Sequence, residues 1–126
     1  MTEESNEVAD IADRYFAAHA AADENAMRAL LADDFSGRTT AMGGMDLSAD
    51  ILVMGAKWEA ESLDIRLEDI RRNYWATGFV QQCAIRGTAP SGDEIDIATC
   101  MVAEVIDGQF TRMDEYVAMP EPTSDS

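Results

Sequence analysis

The hydrophobic period of this chain changes once, and that change limits its fold more than any other feature. In the first half apolar side chains recur at helical spacing; from residue 63 onward they alternate with polar ones. Val8, Ile11, Ala12, Tyr15, Ala18, His19 and Ala22 share one face, which predicts a first helix running to about Ala21. Asp23 suits the N-cap of a short second helix with Met27, Leu30 and Leu31 on one side. Asp33 and Asp34 should end that helix, and Phe35 should open an extended piece. Gly37 and the Gly43-Gly44 pair mark turns. Asp46 or Ser48 can cap a third helix whose apolar positions are Leu47, Ile51, Met54, Gly55 and Trp58. Glycine costs about 1 kcal/mol against alanine in a helix interior, so a close helix–sheet contact is expected at Gly55.

Beyond residue 63 the period is two. Leu63, Ile65 and Leu67 alternate with Asp64, Arg66 and Glu68, the pattern of a half-buried strand. Long strands are expected over Tyr74 to Thr88, Ile95 to Ile106 and Phe110 to Met119. Residues 89–93 form a turn cluster, and Asp107-Gly108 is the strongest hairpin signal in the chain. Pro120-Glu121-Pro122 should stop the last strand. Helices first and a meander of hairpin-linked strands second imply an α+β domain, not alternating α/β.

Composition narrows the partners. The 126 residues, 47% hydrophobic, fit one domain with an ordinary core, and residues 1–6 and 120–126 are expected to be flexible tails. Twenty-five acidic residues against nine basic ones leave a net charge of -16, and Lys57 is the only lysine. Such a field repels phosphate backbones and anionic lipid, so neither nucleic acid nor a membrane surface is an expected partner. No Gly-rich phosphate loop occurs, and the single histidine and scattered acids form no metal-ligand pattern, so no cofactor and no metal are expected. Cys83 and Cys100 lack metal-type spacing and read as reduced buried thiols, a bridge between neighbouring strands being the alternative. The acidic N-terminus lacks the basic and apolar regions of a signal peptide, and no apolar stretch reaches membrane-spanning length, so a cytoplasmic location is expected.

Arg14-Tyr15-Phe16-Ala17-Ala18, then Asp23, then Leu30 to Phe35 resemble the opening of the nuclear transport factor 2-like superfamily. Gly92, a long strand, Asp107-Gly108-Gln109-Phe110 and Arg112 to Tyr116 resemble its end. That superfamily includes ketosteroid isomerase, limonene epoxide hydrolase, scytalone dehydratase and the SnoaL-like polyketide cyclases. The resemblance covers nearly the whole chain and implies one domain over 1–126. Its shape would be a cone-shaped α+β barrel, with three N-terminal helices packed in a curved, mostly antiparallel sheet around a deep hydrophobic pocket. It also implies a small hydrophobic ligand and a homodimer through the outer sheet face.

The resemblance places Glu115 at the inward acidic position used in catalysis by the cyclases and the epoxide hydrolase. It places Tyr15 at the tyrosine that donates to the substrate oxygen in ketosteroid isomerase. If Glu115 faces inward, period two carries Met113 and Val117 with it. The same alignment sets Ile97, Thr99 and Met101 inward on the preceding strand, and Gln82, Ala84 and Arg86 on the strand before. His19, four residues after Tyr15, shares its helical face. Trp58 would close the third helix onto the sheet beside the pocket. Met42, Met45, Met54, Met101 and Met113 could line an adaptable pocket or simply fill core.

Three departures from the family pattern alter the chemistry. The ketosteroid isomerase base aspartate matches about Thr39, and its second donor falls near Thr99 or Cys100. The arginine and aspartate of the epoxide hydrolase fall on Gln82 and Ala84. Chemistry would therefore centre on Glu115 as acid/base and Tyr15 as donor, with His19, Gln82, Arg86, Thr99, Met101, Met113 and Trp58 binding substrate. Plainer roles stand beside these: Glu115 paired with Arg86 or Arg112, and His19 and Tyr15 as hydrogen-bonded core. Three functions remain open: an acid/base enzyme, a non-catalytic ligand-binding protein, and a dimerisation or interaction domain with a filled pocket.

Overall fold

The computed structural model describes residues 3–118. Helix α1 (Glu3–Ala20) and α2 (Glu24–Ala29) lead into β1 (Leu31–Thr39) and a short β2 (Met45–Leu47). Then come α3 (Ala49–Ser62), β3 (Asp64–Trp75), β4 (Gly78–Thr88), β5 (Glu94–Ile106) and β6 (Gln109–Ala118). One six-stranded sheet runs in the order β2-β1-β6-β5-β4-β3. Every neighbouring pair is antiparallel except β1 with β6. This is the expected α+β architecture of three helices packed against a mostly antiparallel sheet. Of the expected tails, residues 1–2 and 120–126 lie outside the described residues, as do Met119 and the Pro120-Glu121-Pro122 stop, while helix α1 begins at Glu3.

The helix caps follow side-chain chemistry. Asp23 accepts from the Ala26 backbone N–H at 3.2 Å, and Ser48 accepts from that of Ile51 at 3.2 Å, so Ser48, not Asp46, caps α3. The α2 helix ends before the expected Asp33-Asp34 boundary. Leu31 instead opens β1 opposite Phe110, and the Leu30 carbonyl accepts from the Phe110 N–H at 2.7 Å. Pairing with β6 overrides local helix propensity there.

The strands carry one correction of division. Tyr74 and Trp75 close β3, and a turn at Ala76-Thr77 separates them from β4, so residues 74–88 are not one strand. Strand β3 also bulges between Glu68 and Arg71, where Asp69 takes φ +54°. The bulge inverts the phase: Ile65 and Leu67 face inward before it, Arg72 and Tyr74 after it. Asp107 and Gly108 adopt φ +53° and +78°, the hairpin turn expected of that pair.

The core lies between α1, α2, α3 and the inner sheet face. Tyr15, Phe79, Phe110, Met27 and Met113 are its largest fully buried side chains. Tyr15 packs on Phe110 with ring centroids 5.0 Å apart, and Phe110 meets Phe79 edge-on at 6.0 Å. Burying one such ring contributes about 1.5–3 kcal/mol. Helix α3 turns a different stripe inward than expected. Leu52, Val53 and Ala56 are buried, while Met54 is 67% and Trp58 58% exposed. Met42 is exposed as well. A Cβ at Gly55 would meet open space, so no close contact accounts for that glycine.

Candidate functional site

A cavity of about 370 Å³ opens between α1, α3 and the inner face of β3 to β6. Its walls include Tyr15, Phe16, Leu47, Leu52, Ala56, Ile85, Met101 and Met113, and its polar groups include His19, Glu59, Gln81, Thr99 and Glu115. The volume lies within the range of small-molecule sites, about 300–1,000 Å³, and the mix of apolar walls with few polar groups is typical of them.

Strand register explains how the polar groups meet. Arg72 pairs with Gln81, Gln81 with Met101, Met101 with Glu115, and Glu115 with Thr39. Directly paired residues point to the same side of a sheet. These five residues therefore form one row across the inner face, polar at both ends with Met101 in the middle.

At one end, Thr39 Oγ1 donates to Glu115 Oε1 at 3.0 Å. The Ala41 N–H donates to the same Thr39 oxygen at 3.1 Å, which leaves the hydroxyl proton free to point at the carboxylate. Burial pushes the Glu115 carboxyl above the usual carboxylate range; the Thr39 hydrogen bond opposes this, the Glu59 charge adds to it, and His19 opposes it. Across the cavity His19 Nε2 lies 2.8 Å from Glu59 Oε2, and its Nδ1 lies 3.5 Å from the Tyr15 hydroxyl. A carboxylate only accepts, so Nε2 donates to Glu59. Burial also pushes Tyr15 ionisation well up, and Glu115 and Glu59 push it further, so Tyr15 is a neutral phenol and a donor.

Folds of this geometry are already known from crystals. A nuclear transport factor 2-like protein from Burkholderia xenovorans matches with a TM-score of 0.77 over 90% of this chain and 91% of that one, at 17% identity. A polyketide cyclase candidate from Xanthomonas campestris matches at 0.75 over 90% and 92%, with 19% identity. A SnoaL-like polyketide cyclase candidate from Jannaschia matches at 0.72 over 93% and 89%, with 15% identity. This chain has the nuclear transport factor 2-like fold. No protein-family model and no curated protein sequence matches it.

Within this fold the sequence-predicted residues divide cleanly by position. Glu115, Tyr15, His19, Thr99, Met101 and Met113 line the one cavity. Gln82 and Arg86 do not, because β4 is in the opposite phase to the one expected. Phe79, Gln81, Cys83 and Ile85 pair with Ala103, Met101, Thr99 and Ile97 on the inner face, and Gln82, Ala84 and Arg86 point outward. Arg86 is held there by Glu68, Asp69 and Asp96 at 3.3, 2.8 and 3.3 Å. Trp58 is exposed on the far side of α3 and closes nothing. Neither Arg86 nor Arg112 pairs with Glu115; Arg112 binds Asp114 at 2.9 Å. Cys83 faces inward and Cys100 outward, so both thiols are free and cannot bridge each other.

Sequence reasoning missed Glu59, Gln81 and Cys83. The signal for the last two was present. Phe79, Cys83 and Ile85 make a more apolar alternate set than Val80, Gln82, Ala84 and Arg86, and Gln81 belongs to it. Glu59 had no comparable signal, because a glutamate near a helix end reads as solvated. Among the described residues no group of three or more His, Cys, Asp or Glu side chains could hold a metal ion, and no helix is long and apolar enough to cross a membrane.

Proposed function

We propose that this chain is a pocket enzyme that moves a proton on a small, largely apolar, oxygen-bearing substrate. The reaction belongs to the isomerase, cyclase, dehydratase or epoxide-opening type. One observation carries the reading: a carboxyl group whose proton affinity is raised by burial shares a small apolar cavity with a neutral phenol. A carboxylate with raised pKa can take a proton near neutral pH and return it. In this scheme Glu115 takes the proton from carbon beside a substrate carbonyl. Tyr15 donates to the oxygen where negative charge develops. His19, held by Glu59 through Nε2, offers Nδ1 as the long-range acceptor that the phenol proton leaves when it turns to the substrate oxygen. Thr39 steadies the Glu115 oxygen that is not reacting. The names of the structural neighbours are compatible with this class of chemistry, and side chains alone supply it.

The test is deuterium exchange at the carbon beside the carbonyl in a panel of cyclic ketones, followed by proton NMR in heavy water. The intact protein should catalyse exchange of at least one member and Glu115→Gln should abolish it. Equal exchange by both proteins would remove Glu115 from the mechanism.

A homodimer through the outer sheet face is also proposed. It is supported by a groove there that Ala84, Ala98 and Ala118 border, with Tyr116 54% and Ile70 47% exposed beside it. Tyr116→Arg should convert a dimer to a monomer in analytical ultracentrifugation. A wild-type monomer at the same concentration would end the proposal.

A further inference from the structure

The far end of the inner-face row, away from Glu115, has an unassigned use. Gln81 is 3% exposed and lines the cavity wall. Its Oε1 accepts from Arg72 Nε. A guanidinium has donors and no acceptor, so this contact fixes which way round the amide lies. The oxygen faces Arg72, and the two N–H bonds of Nε2 face away from it. Their only protein partner among the described residues is Cys83 Sγ at 3.6 Å. Sulfur is a weak acceptor, and Cys83 is itself engaged with Thr99 Oγ1 at 3.3 Å. The wall thus presents a buried amide donor with spare capacity.

Arg72 is built as a rigid anchor for that amide. Its guanidinium donates to the Asp13 carboxylate on α1 and to the Tyr74 hydroxyl at 3.4 Å, and it stacks on the Phe16 ring with 4.9 Å to the centroid. Only 15% of its side chain is exposed. An arginine committed on every side does not need Gln81 for its own neutralisation, since Asp13 supplies the counter-charge. Holding the amide is a separate result of the arrangement.

We propose that Gln81 is a substrate-recognition residue whose Nε2 donates to an acceptor oxygen on the ligand, opposite the oxygen function that meets Glu115 and Tyr15. The ligand class follows from the row. Gln81 and Glu115 flank Met101, two strand spacings or about 10 Å apart across the sheet. The fitting molecule is compact and apolar in its middle, which rests on Met101. It carries an oxygen function at each end, and the one at the Gln81 end is an uncharged acceptor such as a carbonyl, ether or hydroxyl. This rests on the reading of the cavity as a substrate pocket and adds a second recognition point to it.

Two naphthols test the idea. 6-Methoxy-2-naphthol has an ether acceptor opposite its hydroxyl; 6-ethyl-2-naphthol has the same shape with a methylene in its place. Titration calorimetry with the intact protein should give tighter binding of the methoxy compound by about five- to tenfold, the scale of one net hydrogen bond. Gln81→Glu keeps an oxygen for Arg72 and loses the donor, and it should erase or reverse that preference. Gln81→Met, which has no donor and no charge, should erase it as well, and serves if the glutamate variant fails to fold. Equal affinities for the two compounds in the intact protein, or a preference that survives both substitutions, overturns the Gln81 proposal. Binding of neither compound overturns it too. The chemistry at Glu115 fails separately: a methoxy preference lost in Gln81→Met alongside carbon–deuterium exchange unaffected by Glu115→Gln keeps the recognition residue and removes the acid/base.

Discussion

The two ends of the inner-face row bury opposite charges and treat them differently. At the Arg72 end, burial works against the charge, but hydrogen bonds to Tyr74 and Asp13 outweigh it and hold the guanidinium firmly protonated. At the Glu115 end burial prevails: the Thr39 hydroxyl and His19 oppose it, the Glu59 charge adds to it, and the carboxyl group is pushed toward its protonated form. An ion that brings its counter-charge with it is a fixture. A buried acid without a direct counter-ion holds its proton more tightly than an exposed one and can exchange it. The same sheet face therefore holds one group suited to scaffolding and one suited to chemistry, and the difference lies in their partners.

The sharpest way to break the contrast is at Glu115. Glu115→Gln should lower turnover at least ~100-fold, the scale of general acid–base catalysis, while urea unfolding shows no loss of stability. Next is the strand pairing that delivers Thr39 to Glu115. A Cβ at Gly37 would sit 2.3 Å from the Met113 carbonyl oxygen, so Gly37→Ala must force β1 away from β6. The expected cost is about 3 kcal/mol, as for an overpacked core, read from urea unfolding. At the other end Arg72→Met leaves the Gln81 oxygen buried without its donor and should cost about 2 kcal/mol by the same measurement. A stability equal to wild type would show that the guanidinium is not the anchor described. Gly55→Ala, outside the row and facing open space, should instead stabilise the protein by about 1 kcal/mol.

The smallest effect is a pH dependence with a definite sign. Native Glu115 binds its proton more tightly than a carboxylate with the ordinary value of 4.5, which stands for the unfolded chain. Its contribution to stability is therefore complete below pH 4.5 and is lost as the pH rises through the raised native value. Glutamine does not titrate. The stability of wild type relative to Glu115→Gln should fall as the pH goes from 4 toward neutrality, measured by paired thermal melts. A difference that rises over that interval would mean that Glu115 is held as a charged partner after all.

Much of the fold was legible along the chain because each element carries a repeated signal. The α1 stripe from Val8 to Ala18, the Asp23 and Ser48 caps and the Asp107-Gly108 turn all follow from local rules. The errors fall where the local signal is weak or absent. Strand β4 has apolar residues in both phases, and the excess in Phe79, Cys83 and Ile85 is all that sets Gln81 inward in place of Gln82 and Arg86. Helix α3 carries two apolar stripes, and the stripe with Trp58 turned out to face solvent. The turn at Ala76-Thr77 has neither Asn-Gly nor Asp-Gly to announce it.

Periodicity by itself settles that helices come first and a meander follows, since 3.6- and two-residue repeats cannot substitute for one another. It also makes Tyr15 and His19 neighbours and keeps Met113 and Glu115 on one side of their strand. Only the closed structure decided that Glu59 reaches His19 from forty residues away, that a bulge turns Arg72 inward, and that five strands bring Thr39, Glu115, Met101, Gln81 and Arg72 into line. Those are choices of register and phase. A shift of one residue leaves the pattern of each strand unchanged and sends every side chain to the opposite face, so the selection is made by the fit of the whole sheet around the helices.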